Sequence, residues 1–273
     1  MSEQELLSRL SLNQITTERW SLKEAAEGCA RAGIGWIAPW RHKVQEAGLA
    51  ESKRYIRDNG LRVSSLCRGG MFPAATAGER EARLDDNRRA VEEAAELGAD
   101  VLVLVCGPSP TPDIAQAREW VREGIEKLAP FAKQHGVKLA IEPLHPMYAA
   151  ERSVIVTLAQ ANSLAERFSP DEVGVVVDVF HVWWDPELYG EIKRAGSRIL
   201  GFHVSDWIVP TPDMLLGRGM MGDGVIEIRK IRSAVEAAGY RGPIEVEIFN
   251  QAIWDMQGDE ALALTKERFL KHV

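Results

Sequence analysis

Four side chains able to bind a metal each stand at the outgoing end of a short apolar run. They are Glu142 in Lys138-Leu-Ala-Ile-Glu142, Asp178 in Val175-Val-Val-Asp178, His203 in Ile199-Leu-Gly-Phe-His203, and Glu247 in Ile244-Glu-Val-Glu247. Taking an ionisable group out of water costs several kcal/mol unless it is paired or ligated. Taken singly, Glu142 reads as a capping carboxylate, Asp178 as a partner for an arginine and His203 as a core histidine. Four such endings in successive runs share one explanation, a divalent cation. Three carboxylates and an imidazole form a hard, oxygen-rich set that favours Mn²⁺ or Mg²⁺, with Co²⁺ or Zn²⁺ admitted through the histidine.

The elements that must position these groups alternate along the chain. Strands are predicted at Leu10–Ile15, Gly35–Ala38, Arg62–Cys67, Val101–Cys106, Lys138–Glu142, Gly174–Asp178, Leu200–Val204 and Ile244–Phe249. Helices are predicted at Ser21–Ala32, Val44–Asn59, Glu79–Leu97, Ile114–Gln134, Val154–Phe168, Pro186–Arg194, Ile228–Ala238 and Asp259–His272. Ser21 and Glu24 have capping-box spacing, and Gly33, Gly60, Gly98, Gly136 and Gly239 follow helices as C-terminal stops. Strands that are apolar throughout are covered on both faces, as in a parallel sheet. Eight β-then-α units without a linker predict one α/β domain over residues 1–273, a (β/α)8 TIM barrel. A doubly wound open sheet is disfavoured: no Gly-x-Gly-x-x-Gly follows the first strand, and the polar ends are spread over four strands rather than one switch point.

Composition narrows the partners. A net charge of -7 argues against nucleic-acid binding, which needs a basic face. The start Met-Ser-Glu-Gln-Glu lacks the basic and apolar regions of a signal peptide, and no apolar run approaches a membrane span, so a cytoplasmic location is expected. Cys29, Cys67 and Cys106 have neither disulfide nor zinc-site spacing.

The segments Ile141-Glu142-Pro143, Val177-Asp178-x-x-His181, Phe202-His203-Val-Ser-Asp206 and Glu245-Val-Glu247-Ile-Phe249 resemble the sugar isomerase/epimerase superfamily with the xylose isomerase-like barrel. The resemblance spans nearly the whole chain. It implies Glu142, Asp178, His203 and Glu247 as metal ligands, Glu142 and Glu247 as an acid/base pair, and His181 as a contact to a substrate hydroxyl. Two features depart from its ketose 3-epimerases. Val209 stands where an arginine follows the metal histidine by six residues, and a second glutamate after the first is missing, with Tyr148 nearby.

Other residues near the strand ends are candidates for substrate contact. His145, stiffened by Pro143 and Pro146, is placed to take a proton near neutral pH, or simply to bond a loop carbonyl. Trp36, Trp40, Trp183, Trp184, Trp207 and Trp254 are expected near the mouth, where indoles stack on sugar faces or pack loops; Trp40 and Trp183 are the candidate ligand contacts. Arg68, Arg152 and Arg218 are candidate cations. Arg218 lies in the glycine-rich segment Leu216–Gly224, read as a mobile lid or a phosphate nest. Glu245 points inward a layer below Glu247, with an ion pair to an arginine or lysine expected.

The expected function is a divalent-metal-dependent sugar isomerase or epimerase, moving a proton through a metal-bound enediolate of a ketose or keto-sugar. The alternatives are a lyase using the same enediolate, either a dehydratase or a 3-keto-glycoside or C-glycoside deglycosidase, and a non-catalytic ligand-binding barrel. A family nuclease is disfavoured because it needs more than the six histidines present. The partner expected is a small sugar or keto-glycoside, with tryptophan-rich loops compatible with a homodimer.

Overall fold

The computed structural model describes residues 2–273. The strands are β1 (Leu10–Asn13), β2 (Trp36–Ala38), β3 (Arg62–Val63), β4 (Leu66–Gly70), β5 (Val101–Val105), β6 (Lys138–Ile141), β7 (Val173–Asp178), β8 (Ile199–Val204), β9 (Asp206–Trp207), β10 (Arg218–Gly219) and β11 (Ile244–Val246). Nine of them form one parallel sheet in the order β3-β2-β1-β11-β8-β7-β6-β5-β4, a nearly closed TIM barrel. β9 and β10 make a separate antiparallel ribbon.

The predicted third strand, Arg62–Cys67, is divided because the chain changes partners within it. Val63 pairs with Ile37 of β2, whereas Leu66 pairs with Leu102 of β5. The seam is closed by Cys67 N–H donating to Pro39 O at 3.1 Å.

Side-chain alternation explains how the barrel is both packed and functional. Val103, Ala140 and Val176 form a small cluster separate from the main core, and Leu102, Leu139, Ile141, Val175 and Val177 join the large core under the helices. Glu142, Asp178, His203 and Glu247 each follow by two residues a position of that first parity: Ala140, Val176, Gly201 and Glu245. Gly201 matters for space. A Cβ there would lie 3.2 Å from the Val176 side chain and 3.5 Å from His203 Nε2.

The helices largely follow their predicted positions, with two corrections. The helix expected over Val44–Asn59 is two helices, Arg41–Ala47 and Leu49–Asp58, broken at Gly48 where φ is +81°. That expected over Val154–Phe168 is confined to Leu158–Ala165, because the Thr157 hydroxyl caps Gln160 N–H and the preceding chain is extended. The Ser21–Glu24 capping box forms, and Gly33 and Gly98 close their helices in the left-handed conformation. No helix among the described residues is long and apolar enough to cross a membrane.

The outer end of β4 is tied to helix Ala77–Leu97 by one buried side chain. Asn87 accepts from Gly70 N–H at 2.6 Å and donates to Gly70 O at 2.7 Å and Arg83 O at 2.8 Å. Asn87→Ala strands buried backbone groups, so the unfolding free energy should fall by about 2–4 kcal/mol. Urea denaturation measures it, and a loss under ~0.5 kcal/mol would assign the strand end to packing alone.

Candidate metal centre

The four predicted ligands converge. Glu142, Asp178, His203 and Glu247 are buried, and each offers a donor atom within 4.8 Å of all the others. The parallel register brings this about, setting Asp178 and Glu245 on either side of His203 as direct cross-strand partners. His203 Nδ1 lies 3.2 Å from Glu142 Oε1 and 3.4 Å from Glu247 Oε2, while its Nε2 faces Glu245 Oε2 at 3.2 Å.

The donor set fits a divalent cation on two observations. Four buried carboxylates, those of Glu142, Asp178, Glu245 and Glu247, face the imidazoles of His203 and His181 and one guanidinium, that of Arg218. Such an excess of buried negative charge calls for further positive charge. In addition, Glu142 Oε1 and both ring nitrogens of His203 are buried without a hydrogen-bond partner. Electrostatics pull the two glutamates apart. Burial, reinforced by the neighbouring Glu247, pushes Glu142 up to about 7. Burial acts in the same direction on Glu247, but Arg218 and then His203 override it and hold that carboxyl well below the usual range.

Glu245 is buried, as expected, but its partner is not an arginine or lysine. Besides facing His203 it accepts hydrogen bonds from Ser65 Oγ at 2.8 Å and Asn13 Nδ2 at 3.3 Å. A carboxylate behind the outer nitrogen of a ligating histidine orients the ring and strengthens it as a donor. The i, i+2 spacing of Glu245 and Glu247 was the visible signal; the His203 partnership needed the β8–β11 register.

Arg218 is neither on an exposed lid nor in a phosphate nest. The β9–β10 ribbon turns it inward, where Nη1 donates to Asp178 Oδ2 at 2.9 Å and Glu247 Oε2 at 3.2 Å. Within the glycine-rich segment Gly222 N–H is taken by Asp206, which also accepts from Trp207 and Ile226 on either side of it.

Backbone donors face both histidine rings. His145 Nδ1 accepts from Met147 N–H at 3.2 Å, and His181 Nδ1 accepts from His145 N–H at 3.1 Å. Burial lowers both pKa values and favours the neutral imidazoles. His181 has a donor at each nitrogen, because its Nε2 faces the donor-only guanidinium of Arg218. His145, by contrast, has its proton on Nε2. That corrects the expectation of His145 as a ready base, since its free nitrogen is a donor. His181 Nε2 lies 3.6 Å from Asp178 Oδ2 and 3.0 Å from Arg218 Nη2.

Of the aromatic candidates, Trp40 reaches the mouth, with Nε1 donating to Asn13 Oδ1 at 2.7 Å and its ring edge-on to Phe249. Trp40 and Arg68 line a cavity of about 340 Å³. Trp183 packs on Trp207, which lies with Trp184 around the His145 ring. Trp36 belongs to β2 itself rather than to the mouth; Arg62 stacks on it and its Nε1 donates to Ser8 O. Trp254 is spent on the carbonyls of Ile15 and Ile248. Tyr148, standing near the missing second glutamate, donates to Met214 O and sits edge-on to His181.

A parallel barrel with a buried carboxylate–imidazole metal centre at its strand ends defines a class of metal-dependent barrel enzymes. The chain belongs to the family of the xylose isomerase-like TIM barrel, which it matches over residues 26–271. It is 51% identical to protein SMc04130 of Sinorhizobium meliloti 1021, whose crystal structure superposes with a TM-score of 0.94 over 97% of this chain and 98% of that one. The structure of the IolI protein with a bound zinc atom shares the fold at 21% identity and a TM-score of 0.84, covering 96% and 97% of the two chains. Inosose isomerase of Halalkalibacterium halodurans is 25% identical over 95% of this chain and 94% of its own. 3-Dehydroshikimate dehydratase of Pseudomonas aeruginosa is 25% identical over 84% of this chain, a match covering 36% of that protein.

Glu245→Gln keeps all four ligands but removes the charge behind His203. Metal affinity should fall roughly 10- to 100-fold, read by competition with a chelator; unchanged affinity would reduce Glu245 to a packing role.

Proposed function

We propose that the chain is a divalent-metal-dependent isomerase or epimerase that moves a proton on the carbon beside the carbonyl of a ketose or keto-sugar. Glu142, Asp178, His203 and Glu247 are the ligands in this reading, and Mn²⁺ is the preferred ion, with Mg²⁺, Co²⁺ or Zn²⁺ able to serve. When bound, the cation polarises the carbonyl and stabilises charge on the neighbouring oxygens. The observation that carries the proposal is the convergence of Glu142, Asp178, His203 and Glu247, whose buried donor atoms all lie within 4.8 Å of one another. Glu142 and Glu247 reach that quartet from separate strand ends, so a substrate held there lies between two carboxylates that can serve as an acid/base pair.

The remaining residues bind and orient. The Arg218 guanidinium donates to Asp178, and His181 Nε2 lies 3.6 Å from the same carboxylate, so both border the space suited to substrate hydroxyls. Trp40 offers an indole edge at the mouth, with Trp183 behind the His145 cluster, and Arg68 faces the cavity. Arg218 also supplies from another segment the positive charge that Val209 lacks.

A lyase reading is favoured by one specific feature. With its proton on Nε2 and its ring beside Trp184 and Trp207, His145 can donate a hydrogen bond to a leaving group β to the carbonyl. The proton leaves the α-carbon to a glutamate, the β C–O or C–C bond breaks, and that proton returns from the glutamate to the departing group, which His145 Nε2–H hydrogen-bonds.

Metal-loaded protein in D2O should place deuterium on the α-carbon of a turned-over ketose, and Glu142→Gln should slow that exchange by about 10²–10⁴-fold. Absence of metal-dependent exchange across a ketose panel would defeat the proposal. His145→Ala separates the readings: a modest loss with metal retained supports epimerisation by the glutamate pair, and near-complete loss supports the lyase.

A further inference from the structure

Arg68 occupies an unusual place in the sheet. Cys67 pairs with Val103 and Gly69 with Leu104, so Arg68 is the extra residue of a β-bulge with no opposite number on β5. A bulge at a barrel rim re-aims a side chain, and Arg68 lines the 340 Å³ cavity with Trp40 and Cys67. Its guanidinium makes no ion pair or hydrogen bond among the described residues. Burial, together with the like charges of Arg152 and Arg41, disfavours its charged form.

Arg152 is the second such group. Half-buried, it stands over the Tyr148 ring at 5.4 Å and the Phe249 ring at 6.0 Å, again without a carboxylate. Phe249 connects it to the metal centre, because Arg218 lies over the same ring at 5.2 Å. By contrast Arg41, on the same cavity wall, is matched by Asp86 and Glu93. Asp86 also lines the cavity, but its oxygens are held by Arg41 and Arg89. In a chain of net charge -7, two partly buried guanidiniums without counter-ions need a reason, Arg68 on the cavity wall and Arg152 joined to that wall through Phe249 and Trp40, since an unpaired cation out of water is costly.

We propose that Arg68 and Arg152 form an oxyanion subsite beside the metal centre, so that the substrate carries a carboxylate or phosphate monoester besides its reacting carbonyl. Arginine suits this task, because its planar fork binds either oxyanion through two parallel hydrogen bonds. The anion would enter above Trp40 and Phe249 and set which carbon lies between Glu142 and Glu247. This subsite rests on the reading of the quartet as the reaction centre, and it names the substrate class.

The test uses binding rather than turnover, so it can fail independently of the proton-exchange assay. Glucitol, gluconate and glucitol 6-phosphate are titrated into the metal-loaded protein and into Arg68→Gln and Arg152→Gln. One anion should bind roughly tenfold or more tightly than glucitol, and that preference should shrink towards unity in both variants with metal content unchanged. Whether gluconate or the phosphate is preferred identifies the group. Equal binding of all three probes, no binding of either anion, or a preference that survives both substitutions (coordination by the metal alone) overturns the subsite. Should Arg68→Gln not fold, Arg68→Lys decides: without the fork the preference should drop severalfold, and an unchanged preference overturns the proposal.

Discussion

Four carboxylates packed out of water around one imidazole form the constraint on which the rest of this barrel depends. Glu142, Asp178, Glu245 and Glu247 repel one another, and no arrangement of apolar neighbours relieves that. Relief comes from polar groups brought in from three directions. Asn13 and Ser65 hold Glu245 from β1 and the β3–β4 junction, and Arg218 reaches Asp178 and Glu247 from the ribbon. His203 stands at the centre of the charge. Burial disfavours its protonated form, but Glu245, Glu142 and Glu247 together raise its pKa well above the ordinary value. The parallel register gives the ring its place between Asp178 and Glu245.

Above this floor, main-chain geometry orients the imidazoles. Met147 N–H binds His145 Nδ1, and His145 N–H binds His181 Nδ1, so one short stretch of backbone holds both rings. Pro143 and Pro146 bracket that stretch and restrict it. His145 is thereby left with a donor at Nε2, and proton acceptance falls to the carboxylates. The division of labour is chemical rather than positional: hard anionic groups below, neutral donors and aromatic faces above.

Much of this was legible in the chain because a barrel translates sequence position into depth. An ionisable residue at the outgoing end of an apolar strand can only be at the mouth, which located Glu142, Asp178, His203 and Glu247 before any coordinates. What stayed hidden depended on lateral relations between segments far apart in sequence. The pairing of Glu245 with His203 is set by the β8–β11 register. The bond from Gly222 N–H to Asp206 requires knowing that residues 206 and 222 meet. The division of the third strand arises from a change of partner, which local β-propensity does not encode. His145 was singled out by its place on the loop, but the direction of its proton follows from one backbone contact.

The ribbon of β9 and β10 has a consequence for how such a protein can diversify. Asp206 clamps three backbone N–H groups and Trp207 pairs with Arg218, so residues 208–217 depart and return at a single fastened point. Lengthening a loop with fixed ends costs little, about 0.6 kcal/mol for each doubling. Val209, Met214 and Leu215 lie exposed on that loop. Insertions and deletions there can reshape the rim while Arg218 stays where it is. Reaction chemistry and ligand range can therefore be inherited as separate modules, one held by the barrel and one left to drift on its hinge.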